Sequence, residues 1–322
     1  MTEDPRRAQL AALPESIRSP LAPFAGAKPP APAWFEAAVA DAPERRMIMV
    51  EGVNIELLTW GEVGKPGLLL LHGNGAHADW WAFTAPLLAK DYRVAAISWS
   101  GMGNSGWRET YTGEIFAKEI FAAVEAAELE ADGQRPLIIG HSFGGFPLMY
   151  CATHFPEKIR GAVLLDSSVQ PPEKRWKGPP PRNPMQQVYP TLNQALARFR
   201  LAPPQGCDNL YIADYIARTS LKPVALEDGS GEGWSWKFDP QMWGRFQIGD
   251  LGDLLETMAC PITLMWGERS NLMGQETMDY MFAKVPAGFK KVAIPDADHH
   301  VMIDQPLAFV AAVRGLLASW PI

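Results

Sequence analysis

The sequence predicts an α/β fold: an eight-stranded, mostly parallel sheet flanked by helices, with a helical cap inserted in its second half. Three observations carry that reading. Short apolar runs alternate with longer segments of helical periodicity over most of the chain. One run ends in a glycine-rich turn that leads straight into a helical pattern. The alternation breaks once, from about residue 170 to 248, in a stretch rich in Pro, Gly and Trp. Strands covered by helices on both faces read as continuous apolar runs, because neither face meets water.

Taken in order, residues 1–45 are rich in Ala and Pro, including Pro29, Pro30 and Pro32, and read as an N-terminal arm with short helical pieces. Arg46–Val50 and Asn54–Trp60 are strand-like and joined through Glu51-Gly52, which predicts a hairpin. Apolar runs follow at Gly67–Leu71, Tyr92–Ile97, Leu137–Ile139, Ala162–Leu165, Ile262–Trp266 and Lys291–Ile294. Helical patterns occupy Trp80–Ala89, Glu114–Ala131, Phe146–Thr153, Met273–Lys284 and Leu307–Ala318. The core is therefore assigned to 46–169 and 249–322, and the cap to 170–248. The cap carries a short helical pattern at Leu192–Arg200, a Gly-rich turn at Gly229–Gly233, and Trp176, Trp234, Trp236, Phe238 and Trp243. Its Pro-rich run, 177–184, reads as a stiff loop rather than a docking segment.

Bulk properties narrow the function. With 322 residues, 47% hydrophobic and 20% charged, the chain is long enough to bury a full core and is not disordered in composition. A net charge of −7 without a basic block argues against a nucleic-acid partner. Cys151, Cys207 and Cys260 are an odd, widely spaced set, neither a disulfide framework nor a CxxC metal site, so a cytoplasmic setting is expected. The first residues lack the order of a signal peptide and no run is long and apolar enough to span a membrane, so no membrane partner is expected. Oligomeric state stays open, a homodimer included.

The chemistry gathers in three loops. Leu137–Ile139 runs into Gly140-His141-Ser142-Phe143-Gly144-Gly145 and then a helical pattern. Gly-x-Ser-x-Gly is common by chance, but its context gives it weight. A strand turning sharply into a helix strains the middle residue and tolerates only small neighbours, and it leaves the Ser142 hydroxyl beside a helix N-terminus. Leu69–Leu71 leads into His72-Gly73-Asn74-Gly75. Of the six histidines, His72, His77, His141 and His154 fall at loop or helix positions that leave His299 and His300 after the last strand. As a metal site this pair lacks a third ligand at helix spacing.

These features resemble the α/β-hydrolase family, in its esterase/lipase-like serine branch with a cap domain, from about Arg46 to the C-terminus. The resemblance implies that Ser142 is the nucleophile and that the backbone N–H groups of Asn74 and Phe143 form the oxyanion hole. It implies His299 as base, seven residues before Pro306, with His300 as the alternative. Where the family usually carries its acid, after Trp266-Gly267, this chain has Ser270. Asp166, after Ala162–Leu165, is favoured instead, and Glu268 is the other option. Gly101-Met102-Gly103-Asn104-Ser105-Gly106 matches GxGxxG, but the loop-like Trp107–Gly113 follows it, so no dinucleotide is expected. No cofactor and no metal are implied. The expected activity is hydrolysis of an ester, thioester or lactone of a small to medium hydrophobic substrate through an acyl-enzyme. The same residues would serve a C–C-bond hydrolase or a cofactor-free perhydrolase. A non-catalytic small-molecule binder is the reading if no acid serves His299.

Overall fold

The computed structural model describes residues 11–175, 186–226, 229 and 231–320. Trp176, the Pro-rich run 177–184 and Ser230 of the Gly-rich turn lie outside the described residues. Eight strands form one sheet: β1 (Glu44–Val50), β2 (Val53–Trp60), β3 (Gly67–Leu71), β4 (Arg93–Ser98), β5 (Leu137–His141), β6 (Gly161–Leu165), β7 (Ile262–Gly267) and β8 (Lys290–Ile294). Their order is β1-β2-β4-β3-β5-β6-β7-β8. Only β2 runs against its neighbours, and the other pairs are parallel.

The expected hairpin is present. Val50 pairs with Val53 across Glu51 and Gly52, whose φ values of 46° and 76° suit a two-residue turn that needs both in the left-handed region. The central strands β3 to β6 are buried at every position, in keeping with sequences that are apolar except at strand ends such as Arg93, Ser98 and His141. At the edge, β8 alternates between partly exposed and more buried residues.

Six helices matter for the argument: α1 (Ala33–Ala40), α2 (Gly113–Ala126), α3 (Gly145–His154), α4 (Leu251–Thr257), α5 (Gln275–Lys284) and α6 (Pro306–Ala318). Thr112 caps α2 by accepting from the Ile115 N–H, and Asp250 caps α4 through the N–H groups of Gly252 and Asp253. The helix predicted over Trp80–Ala89 is instead a 3-10 turn at Ala78–Trp81 and one α-turn at Ala85–Leu88. Pro86 has no N–H to donate back into a preceding turn, so it suits only a fresh helix start. The helical pattern predicted to Ala131 stops at Ala126, and Glu128 takes a φ of 54°.

The described residues fall into two compact units, one drawn from Ala33–Pro184 with Phe238–Ile322, the other from Met1–Pro32 with Met185–Lys237. The larger unit takes in α1, which composition had grouped with the arm. Phe35 and Ala38 are buried there, and the Phe35 ring lies 5.9 Å from Phe83. It also takes in the last stretch of the expected cap. The Asp239 N–H donates to the Gly101 carbonyl at 2.7 Å, and Phe246–Gln247 pair in parallel with Tyr111–Thr112. The smaller unit holds a three-stranded antiparallel sheet in the order Val188–Tyr189, Glu232–Trp236, Leu221–Ala225, together with the helix Leu210–Thr219. Within it, Arg218 donates to the Gly26 carbonyl at 2.7 Å. Among the described residues no helix is long and apolar enough to cross a membrane.

Candidate active site

Ser142 follows β5 without a spacer and takes a φ of 52°. A non-glycine residue held there costs roughly 1–3 kcal/mol and persists only where its surroundings enforce it. The glycines explain how the bend closes. A Cβ on Gly140 would lie 2.6 Å from the Gly144 carbonyl oxygen, and one on Gly144 would lie 2.7 Å from the carbonyl oxygens of both Leu71 and His72. The turn packs against the end of β3 only because these positions are bare. The chain then enters α3, with Ser142 ahead of its N-terminus.

The loop after β8 delivers His299, which is buried at 2% exposure. Its Nε2 lies 3.0 Å from Ser142 Oγ, and its Nδ1 lies 2.7 Å from Asp166 Oδ1. Asp166 ends β6 with a φ of 47° and is fully buried. Oδ2 accepts from the Gly267 N–H at 2.9 Å, and Oδ1 also accepts from the Ser270 hydroxyl at 2.7 Å. The carboxylate thus assigns the ring proton to Nδ1, leaving the Nε2 lone pair toward Ser142. Glu268, the other option for the acid, is exposed.

Ser270 shows what the unusual loop after β7 does. Its hydroxyl spends its proton on Asp166 and accepts from the Leu272 N–H at 3.3 Å. At the position where the family resemblance led us to expect a carboxylate, Ser270 instead donates to the carboxylate that follows the neighbouring strand β6. Sequence reasoning missed this, because it treated Ser270 only as a missing carboxylate.

Two further histidines build the frame. His141 Nε2–H donates to the His299 carbonyl at 3.0 Å. Burial, and then the nearby His299, hold its pKa well below the ordinary value, so its ring is neutral. His72 Nε2 accepts from the Trp99 N–H at 3.0 Å, which puts its proton on Nδ1, facing the Gly73 carbonyl at 2.7 Å. Burial lowers its pKa to about 3. The Trp99 indole N–H returns a bond to the His72 carbonyl at 3.1 Å, clamping the start of the Gly73–Gly75 loop to the end of β4.

His141, His299 and His300 also bring three imidazoles together, with candidate ligand atoms within 4.8 Å of one another. They are the group among the described residues that could hold a metal ion. The third ligand that sequence spacing did not offer arrives from β5. His299 and His141 are nonetheless already bonded, to Ser142 and Asp166 and to the His299 main chain.

Of the two residues expected at the oxyanion hole, Phe143 follows Ser142 in the chain, and Asn74 follows Gly73, where a Cβ would lie 3.2 Å from Ser142 Cβ. Phe143 is buried within a ring cluster, and the Asn74 side-chain Oδ1 accepts from the indole of Trp243 at 3.1 Å. The GxGxxG stretch is committed elsewhere. Asn104 donates to Glu56 at 2.6 Å and Ser105 accepts from the Glu56 N–H at 2.9 Å, while α2 begins only at Gly113. No helix opens at Gly106 to receive a pyrophosphate.

Comparison with known proteins identifies the family. The model of the alpha/beta hydrolase family matches residues 68–313. The chain belongs to that family and is a hydrolase of its esterase/lipase-like kind. It is 24% identical over 292 residues to esterase Rv0045c of Mycobacterium tuberculosis (strain ATCC 25618 / H37Rv), covering 88% of this chain and 92% of that protein. It is 25% identical over 256 residues to the pimeloyl-[acyl-carrier protein] methyl ester esterase of Edwardsiella ictaluri (strain 93-146), covering 78% and 92%. Among solved structures, a thioesterase domain from the curacin biosynthetic pathway superposes with a TM-score of 0.67 at 22% identity, covering 86% of this chain and all of that one.

Proposed function

We propose that the protein is a serine hydrolase that cleaves a carboxylic ester, thioester or lactone of a small to medium hydrophobic substrate through an acyl-enzyme. The observation that carries the reading is His299 bridging Ser142 and Asp166 at 3.0 and 2.7 Å. In this reading Ser142 Oγ attacks the carbonyl carbon while His299 Nε2 takes its proton. Asp166 holds the ring in the correct tautomer and stabilises the imidazolium. The N–H groups of Asn74 and Phe143 receive the oxyanion. His299 then protonates the leaving group, and a water deprotonated by the same nitrogen releases the acid and restores Ser142. The relatives named as esterases support the bond type. Trp243 and Phe246, half-buried rings packed on the residue that follows the nucleophile, support an apolar substrate. Three free cysteines support a cytoplasmic setting, and a net charge of −7 supports a small molecule rather than nucleic acid as partner.

A fluorophosphonate probe should label the protein at Ser142, and Ser142→Ala should abolish both labelling and turnover. A series of p-nitrophenyl esters should show longer acyl chains preferred over acetate. Turnover surviving in Ser142→Ala removes the serine mechanism, and a preference for acetate removes the apolar substrate.

A further inference from the structure

We propose that Trp243 is a positioning residue for the oxyanion hole, because one indole holds both residues whose backbone N–H groups are assigned to it. The proposal rests on the serine-hydrolase reading and adds a residue from the far end of the insertion. The Trp243 Nε1–H donates to Asn74 Oδ1 at 3.1 Å. The same ring meets Phe143 edge to face, with centroids 5.6 Å apart at 80°. Residues 74 and 143 come from different loops, after β3 and after β5, and a single side chain ties them together.

The need for such a tie follows from the local chain. Asn74 stands between Gly73 and Gly75, and Gly75 takes a φ of 71°. A segment flanked by glycines has wide backbone freedom, so an N–H within it stays aimed only if something outside fixes it. The Gly75 N–H to Met102 Sδ contact, 3.3 Å, restrains one side. His72 Nδ1–H and the Ala76 N–H hold the Gly73 carbonyl on the other, at 2.7 and 3.3 Å. Between them, the Asn74 side chain is the handle on residue 74 itself, and Trp243 takes it.

Trp243 is itself firmly carried. It lies in the 3-10 turn Met242–Arg245. Before that turn, the Asp239 N–H donates to the Gly101 carbonyl at 2.7 Å and its carboxylate accepts from the Tyr111 hydroxyl at 2.8 Å. After the turn, Phe246–Gln247 pair with Tyr111–Thr112, and Phe246 packs on both Trp243 and Phe143 at 5.4 and 5.2 Å. The anchor is therefore fixed on both sides of its turn. Tryptophan suits the position because it offers a broad ring for Phe143 and a donor at its edge for Asn74.

Two substitutions delete the same bond from opposite ends. Trp243→Phe keeps a ring but loses the donor, and Asn74→Ala keeps its backbone N–H but loses the acceptor. An oxyanion donor acts mainly in the transition state, so each should lower kcat by about five- to twentyfold while KM changes by less than about twofold. The double variant should fall no further than the worse single one, because one interaction cannot be lost twice. Affinity for phenylboronic acid, a tetrahedral mimic once bound to the serine, should fall by the same factor. Wild-type kcat in both variants, multiplied losses in the double variant, or a loss confined to KM overturns the proposal. If Trp243→Phe does not fold, Asn74→Ala with boronate binding reads the same bond alone. Ser142→Ala, assayed alongside on p-nitrophenyl butyrate, separates the two levels. Turnover in that variant removes the serine reading, whereas an inactive Ser142→Ala beside an unimpaired Trp243→Phe removes only the positioning role.

Discussion

Asp166 and Glu56 are both fully buried carboxylates reached from the large sheet, yet they keep different company. Glu56 accepts from the Ser98 hydroxyl at 2.6 Å and from the Asn104 amide at 2.6 Å, and it forms an ion pair with Arg45. Arg45 reaches on to Asp79 at 2.6 Å. Burial alone would raise the Glu56 pKa, but the bonds from Ser98 and Asn104, and then the Arg45 charge, outweigh it and hold it below the usual range. Asp166 meets two neutral donors, Gly267 N–H and Ser270 hydroxyl, and one imidazole. A guanidinium never gives up its proton, so Glu56 stays locked and ties β1, β2 and the turn after β4 together. In the proposed mechanism the imidazole takes a proton from Ser142 and passes it on, and the charge on Asp166 serves that step. Under the proposed mechanism the partner, rather than the burial, distinguishes a structural carboxylate from a working one.

Several measurements would break or sharpen this contrast. The largest effect is expected at Asp166. Asp166→Asn should lower kcat/KM by roughly 10³–10⁴-fold with an unchanged far-UV circular dichroism spectrum. Equal activity in this variant would end the distinction. Acid should act next. In the native protein His72 and His141 are neutral, with pKa values held down to about 3 and well below the ordinary value. Once unfolded, both titrate near 6.5. As pH falls below that, the unfolded chain takes up protons that the native chain refuses, so stability drops by up to about 1.4 kcal/mol per pH unit for each ring. Urea melts between pH 7.5 and 4.5 should show this slope, and His141→Gln should roughly halve it, leaving the share of His72. Glu56→Gln should leave it intact, because the lowered pKa of Glu56 puts its contribution below that window.

Glu56→Gln itself should cost stability rather than chemistry, about 1–3 kcal/mol, at the low end for a broken buried pair because Arg45 is partly exposed. Turnover per folded molecule should stay within twofold of wild type. The smallest effect is expected at Ser270. Ser270→Ala removes one of three donors to Asp166 and should reduce kcat by about three- to tenfold. Adding Ser270→Asp to Asp166→Asn returns a carboxylate to the loop after β7 and should recover about tenfold of the lost activity. No recovery would mean that the backbone after β7 no longer suits an acid.

Sequence alone was enough for whatever short-range chain physics controls. The hairpin at Glu51-Gly52 follows from turn chemistry, and the central strands from apolar runs. The Ser142 bend follows from bare glycines at a strand-to-helix turn, whereas the choice of His299 over His300 came from the family resemblance and its spacing to Pro306. Tertiary structure decided which distant groups meet. Asp166 rather than Glu268 reaches His299 across 133 positions, Ser270 braces that acid from 104 positions away, and Trp243 finds Asn74 across 169. It also drew α1 and residues 238–248 into the larger unit. Local pattern records which way a side chain faces its own strand or helix. Contacts between strand ends depend on the order in which strands line up, and neighbouring residues carry no trace of that order.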